Sequence, residues 1–463
     1  MMENPTAPPH PPPIDHRQVH LNVGGSRFET TTTTLSSTTL LLSDTSSPHS
    51  IFIDRDPDSF SSLLSLLRRH HHNHHHDHCN LRPLLSDSAF YGADSLLRAA
   101  LSPPPFSGLD ASLASTVVPS SHPFVSAFDA TGDRVSRVSI LIAHGGLVSV
   151  YDDVLFHLNT FRTHLDLITS IRTISGGMVA VGSEAAAGMH FYGVVSGCHV
   201  GSVHWTDKTD PRIYKSKVSA IEEGEDCVYA AFDCRHGENA VLVVDKETMR
   251  VRGEIGRQTG HAAKKVAPGK LDWVPELGVL VGSRVTSGAF GFAGYVRVWD
   301  VRSGNVVWET SEPGSGMSSG RFGDAMCDVD VDAEDGVVVK VCSKSGDVGL
   351  ADMRMFGDDP WVYLEDPDKG LKAGGVSGGD GVVCCWKKQV FVGREKGLEV
   401  WSRGNGVGGY RRNYVDRVED AERGLITKIE GSGGGNRLFV ARENVEGIEI
   451  WESSRVSGAV SAL

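Results

Sequence analysis

The most constraining feature of this chain is a strand ending that recurs seven times. The runs VSVYD, MHFYG, VLVVD, VRVWD, VGLAD, LEVWS and IEIWE each end on an aromatic or small apolar residue followed by one more residue, usually polar. Aligning them puts Tyr151, Tyr192, Val244, Trp299, Ala351, Trp401 and Trp451 in register, about 40 to 55 residues apart. That period is the length of four strands and their turns, and a unit that cannot bury its own faces must stack on copies of itself. A second register lies just upstream, where LIAHGG, VAVGSE, YAAFD, VLVGSR, VKVCSK, VFVGRE and VARE align His144, Glu184, Asp233, Arg284, Lys344, Arg394 and Arg442. Both registers count seven units, so residues 120–460 are predicted to form an all-β propeller, most simply seven-bladed. Six blades or an open β-array are the alternatives. The composition agrees, since 53 glycines and 7% aromatic residues suit short strands and turns and exclude an all-helical chain.

The N-terminal part has a different texture. Residues 1–13 are Pro-rich without apolar periodicity and are expected to form an extended tail. Val19-His20-Leu21-Asn22-Val23 alternates like a half-buried strand, Gly24-Gly25 supplies a turn, and Arg27-Phe28-Glu29-Thr30 begins the return strand. Ile51-Phe52-Ile53 reads as a further strand. Asp56 follows as a helix N-cap, with Pro57 at the first helical position, where a missing N–H is harmless. Phe60, Leu63, Leu64 and Leu67 then share one helical face, and a later helix after Ser86 is expected to turn Phe90, Ala93, Leu97 and Leu101 inward. Leu40, Leu41 and Leu42 are assigned to the core. Residues 14–102 are thus an α+β domain, and Pro103-Pro104-Pro105 opens a stiff linker over 103–119.

Several function classes drop out. A net charge of −13 and a pI near 5.8 give no footprint for nucleic-acid phosphates. The eight cysteines contain no CxxC pair and suggest buried reduced thiols. The stretch from Ala185 to Thr206 lacks acidic and basic residues, but glycines and three histidines break it, so no membrane helix is expected. The start lacks the plan of a secretory signal, which points to the cytoplasm, the nucleus or both. Gly316-Met317-Ser318-Ser319-Gly320 and Gly375-Val376-Ser377-Gly378-Gly379 match the nucleophile-elbow pattern, but both fall in Gly/Ser-rich loops of a β-array, where that strand-to-helix turn has no place. No phosphate-binding loop, HExxH or dinucleotide fingerprint occurs, so no catalytic residue and no cofactor is assigned. Seven histidines in residues 70–78 could chelate a divalent ion, yet nothing in the run fixes a ligand geometry. They are assigned to a solvated insertion, and no metal site is assigned.

The first domain resembles the BTB/POZ fold in its potassium-channel-tetramerisation form. The residues that carry the resemblance are Val19–Gly25 with Phe28 and Thr30, Phe52–Pro57 with Phe60, Leu63–Arg68, and Ala89-Phe90-Tyr91-Gly92. The His-rich run interrupts the pattern. The second domain is similar to divergent WD40-type propellers, although only Trp299-Asp300 reproduces the Trp-Asp signature. Together the two resemble plant BTB/POZ proteins with WD40/YVTN-like repeats. The resemblance implies a substrate-recognition adaptor of a cullin-3 RING ubiquitin ligase, in which the BTB domain binds the cullin and self-associates while the propeller holds a target protein. The other reading is an oligomeric scaffold that binds no cullin, and sequence does not separate the two. By the same resemblance Asp54, Arg55 and Asp56 fall at or near a subunit interface; a helix cap with local pairing is the other reading. In the propeller, Arg284, Lys344, Arg394 and Arg442 occupy turns between second and third strands of successive blades, and would form a basic sector able to grip an acidic target segment. Asp152, Asp245, Asp300, Asp352 and Glu452, one place after the strand closers, are assigned to turn capping.

Overall fold

In the computed structural model the described residues are 17–35, 38, 51–68, 81–132, 137–260, 265–288, 291–312, 324–364, 381–394, 397–403, 409–416 and 423–454. The expected tail, the leucines at 40–42, the histidine run and both Gly-x-Ser-x-Gly matches lie outside them. The chain divides into two units, residues 1–102 with 455–463, and residues 103–454.

The first unit begins with the hairpin β1 (Gln18–Val23) and β2 (Ser26–Thr31), whose register pairs Val23 with Ser26 across a two-residue turn. Gly24 and Gly25 both have positive φ there, and a Cβ on Gly24 would stand 2.5 Å from the Arg55 carbonyl. The short helix α1 (Thr32–Leu35) follows, and β3 (Ile51–Ile53) then adds parallel to β1. Helix α2 (Pro57–Arg68) starts at the predicted cap, with the Ser59 amide donating to Asp56 Oδ2 at 2.9 Å, and it buries Phe60, Leu63, Leu64 and Leu67. Helices α3 (Leu81–Phe90) and α4 (Asp94–Leu101) complete the unit. Here one expectation fails by a single position. Phe90, expected inside, is 50% exposed, while its neighbour Tyr91 is fully buried against Phe60. The chain leaves helical geometry after Phe90, and Gly92 at φ +68 turns it into α4, so the apolar face does not run through from one helix to the next.

The second unit consists of seven four-stranded antiparallel sheets in sequence order. Six are built from consecutive strands: blade 1 (127–162), blade 2 (170–203), blade 3 (217–259), blade 4 (270–312), blade 5 (326–363) and blade 6 (381–416). Blade 7 takes three strands from 426–453, and its outer fourth strand is β4 (Ala111–Val117), which pairs Leu113 with Trp451 and Val117 with Ile448. The linker predicted over 103–119 is corrected accordingly. Joining the two ends of the array in one sheet closes the ring, with β4 as the outer edge of that blade.

All seven predicted closers lie on third strands and are buried, from Val244 and Ala351 at 0% to Tyr151 at 6%. Second and third strands are buried on both faces and read as near-continuous apolar runs, whereas outer strands such as His199–Val203 are largely exposed. Neighbouring blades pack closely enough to need glycine at some contacts. Gly256, at φ +63 on the outer strand of blade 3, leaves no room for a Cβ beside the Trp299 indole of blade 4. The assigned turn caps are present at four of five positions. Asp152, Asp245, Asp300 and Asp352 accept amides from Val154, Thr248, Arg302 and Arg354, while Glu452 instead binds Arg437 Nε at 2.6 Å.

Candidate recognition surfaces

Within a blade the start of the first strand pairs with the end of the second, as Gly381 pairs with Arg394 in blade 6. Six of the seven residues of the second register lie at or just beyond the ends of second strands, whereas Arg284, expected in a turn, lies inside a longer strand and pairs with Tyr295. It stands next to Ser283, the partner of Lys270, so all seven gather on one end of the blades with the starts of the first strands. A pocket of about 420 Å³ opens at this end. Thr169, Glu184, Lys270, Arg284, Phe292 and Asp328, from blades 2, 4 and 5, line it. The two middle strands of blade 4, Val279–Gly288 and Gly291–Asp300, each run ten residues, longer than the second and third strands of the other blades, and their extended hairpin supplies Arg284, Val285 and Phe292 to the wall.

The charges around the pocket are unequal in availability. Lys270 Nζ lies 2.6 Å from Asp328, whose other oxygen accepts the Val383 amide at 2.9 Å. Burial works against the Lys270 charge, but Asp328 and Asp330 more than offset it and hold its pKa above the ordinary lysine value. That pair is therefore a fixed floor. Arg284 and Glu184, in contrast, make no side-chain hydrogen bond or ion pair among the described residues. One wall offers an uncommitted guanidinium and another an uncommitted carboxylate.

The basic sector expected from the sequence is only partly there. Lys344 is exposed, and its ammonium likewise has no partner among the described residues. Arg394 sits 3.2 Å from Glu399, a carboxylate that also binds Arg412 at 2.6 Å, and its side chain is 14% exposed. Arg442 is a core residue. Its side chain has no exposed surface, and it joins Asp416 at 2.8 Å and Glu449 at 2.9 Å while donating to the Gly424 carbonyl. Arg442 is withdrawn from the recognition face and Arg394 is largely committed to Glu399, which leaves Arg284 and Lys344 in adjacent blades.

A second polar feature lies around the propeller axis, on the first strands. These do not share a backbone ladder, and carboxylates bridge from blade to blade instead. Asp129 accepts the Thr173 amide, Glu223 that of Ser175, Asp328 that of Val383, Asp330 that of Cys385 and Glu430 that of Ala130. Arg172 lies between Glu222 at 2.7 Å and Asp129 at 3.4 Å. Burial raises the Glu222 pKa to about 7 despite the Arg172 charge beside it. Sequence reasoning missed this hoop because its members alternate with apolar residues on strands whose neighbours are set only by ring closure.

In the first unit the predicted triad Asp54, Arg55 and Asp56 has divided roles. Asp56 is spent as the α2 cap, and the Ser59 amide and hydroxyl hold its carboxyl below the ordinary aspartate value. Asp54 is exposed. The Arg55 guanidinium lies 4.4 Å above the Phe90 ring and 3.9 Å from Asp87, whose pKa burial raises. Phe52, on β3, is 63% exposed. Exposed phenylalanines and an arginine are the composition of interface anchors.

A BTB/POZ domain of the potassium-channel-tetramerisation type, followed by a seven-bladed propeller with a pocket at one end of its blades, defines a protein-interaction adaptor built of two modules that are typically non-catalytic. Residues 19–100 match the BTB/POZ domain model, and residues 126–453 match the model described as At2g24240-like, C-terminal beta propeller. The chain belongs to that propeller family. Two similar relatives are BTB/POZ domain-containing proteins of Arabidopsis thaliana. At5g41330 is 29% identical over 96% of this chain and 98% of its own length, and At4g30940 is 24% identical over 95% and 98%. Among solved structures, the RRP9 WD40 repeats and U3-55K align with 76% of this chain and with 99% and 100% of their own chains, at 14% identity and a TM-score of 0.49 in each case. Among the described residues no helix is long and apolar enough to cross a membrane.

Proposed function

We propose that this chain is the substrate-recognition adaptor of a cullin-3 RING ubiquitin ligase in the cytoplasm or nucleus. Its BTB domain binds the cullin and self-associates, and its propeller captures the target protein. The observation that carries the reading is the pairing of a BTB/POZ module with a propeller whose pocket keeps an uncommitted Arg284 on its wall. Guanidinium and carboxylate pair bidentately, so an acidic residue of the target belongs against Arg284, with Lys344 adding positive charge from the next blade. Glu184 gives the same segment a place for a hydrogen-bond donor or a cation. Self-association multiplies propellers on one particle and raises effective concentration toward a multivalent target.

The test is light scattering on a sizing column, with the full-length chain alone and mixed with the cullin-3 N-terminal region. The expected result is an oligomer that co-elutes with the cullin at a defined ratio. An oligomer that leaves the cullin unbound would replace the adaptor by a scaffold, and a monomer would remove self-association.

A further inference from the structure

Blade 2 and the loop leading into it hold a cluster that neither the recognition face nor the axial hoop uses. His164 lies in the loop from blade 1, His190 on the third strand Met189–Gly193, and His199 on the outer strand His199–Val203. One ring nitrogen from each lies within 4.8 Å of the others. The His164 and His190 rings meet edge to face with centroids 4.1 Å apart, and His199 stands 5.5 and 6.2 Å from them. His190 is buried, while His164 and His199 are exposed.

The orientation of the rings is supported from behind. The Ala187 carbonyl, which can only accept, lies 3.1 Å from His190 Nε2 and so places the proton there. His190 Nδ1 is then a lone pair, 2.7 Å from the Ser202 hydroxyl, and that hydroxyl also meets His199 Nε2 at 2.8 Å. The Tyr192 hydroxyl engages His164 Nδ1 at 2.5 Å, which leaves His164 Nε2 without a partner among the described residues. His190, held at Nε2 by a carbonyl, and His164, held at Nδ1 by a hydroxyl, have the usual support of a metal-bound imidazole, and an ion would take the place of the Ser202 hydroxyl at His190 Nδ1. Residues 185–206, which supply two of the three rings, contain no acidic or basic residue to pair with them.

We propose that His164, His190 and His199 form a binding site for one divalent transition-metal ion of the zinc class. Three neutral imidazoles suit zinc, copper or nickel and do not suit magnesium or calcium, which prefer oxygen. Metal–nitrogen bonds of about 2.0–2.1 Å put ligand nitrogens about 3.4 Å apart in a tetrahedron, so the two exposed rings swing inward by about 1 Å onto the buried His190. Water or a target side chain takes the fourth position. The bound ion ties the loop at 163–169 to blade 2, and that loop ends at Thr169 in the pocket wall. The three histidines are 26 and 9 residues apart, a spacing that matches no sequence motif.

The test uses the full-length chain with the seven histidines of 70–78 changed to asparagine, so that this run does not compete. Calorimetric titration with zinc chloride is expected to give one equivalent, cobalt(II) to give the absorption of a tetrahedral site, and magnesium to give no binding heat. His164→Asn and His199→Gln, both at exposed positions, are expected to weaken zinc binding by at least about 10-fold with the far-ultraviolet dichroism unchanged, and Tyr192→Phe to weaken it less. Absence of binding to the parent chain, an affinity unchanged in both histidine variants, or magnesium binding as tight as zinc would each overturn the site.

Discussion

Arg284 and Arg442 occupy one register of the sequence and do opposite work. Both lie on second strands, yet Arg284 faces a pocket with no committed partner, whereas Arg442 is enclosed with Asp416 and Glu449. The register was legible because turns recur at a fixed period. The burial was not, because Asp416 belongs to the outer strand of the preceding blade and polarity alone does not say which cation it meets. Removing one partner of a buried ion pair strands the others, so Arg442→Met is expected to cost about 3–5 kcal/mol in a denaturant titration of the propeller. Arg284→Glu should stay within about 0.5 kcal/mol of the parent, as surface changes do. It should, however, lose capture of acidic peptides presented on an array. Equal stability losses in the two variants would erase the distinction between them. Retention of acidic peptides by Arg284→Glu would remove Arg284 from the recognition face.

At the level of elements, the closers show what a sequence register reaches and β4 shows where it stops. Trp299, Trp401 and Trp451 mark third strands because a central strand must bury both its faces, and that demand leaves an apolar signature. β4, with the sequence ASLASTV, sits at the outer edge, exposed along most of its length, so it carries no comparable pattern. Its partner Ile448–Ser453 lies more than 300 residues away, beyond the reach of any local reading. In the same way Phe90 and Tyr91 exchanged places because a helix end, not a helix face, decides which of them turns inward. A propeller fragment beginning at residue 103 is therefore expected to unfold in one cooperative transition and to resist protease. One beginning at residue 120 leaves Trp451 and its strand unpaired on one side, and should melt lower and be clipped first within blade 7. Indistinguishable melting curves for the two fragments would show that closure by β4 adds nothing to stability.

Across the whole propeller, the carboxylates around the axis make stability depend on pH with a definite sign. Glu222 is 8% exposed, and burial raises its pKa from the ordinary 4.5 to about 7, with Arg172 only partly opposing the shift. Burial, and then the Glu222 charge, likewise raises Asp272; burial, and then Asp272, raises Asp330. A raised acid holds its proton more tightly in the folded chain than in the unfolded one. Between pH 4.5 and 7 the native state therefore binds protons that the unfolded state has released, and each rise in pH favours unfolding. The stabilisation is complete below pH 4.5 and is lost as pH climbs through 7, with a slope on the order of 1 kcal/mol per pH unit for each proton retained. All eight tryptophans lie between residues 205 and 451, so intrinsic fluorescence reports the propeller without the BTB unit. Urea midpoints followed in this way should fall steadily from pH 6.5 to pH 8 in the parent chain, above the range in which the buried His190, whose pKa burial lowers to about 4, adds a slope of opposite sign. Glu222→Gln keeps an acceptor for Arg172 but removes both its own titration and its repulsion of Asp272, so it should flatten that fall and leave the variant the more stable of the two at pH 8. A midpoint that rises with pH, or a parent-like slope in the variant, would mean that the hoop carries its carboxylates ionised, with Arg172 and Lys270 outweighing their burial.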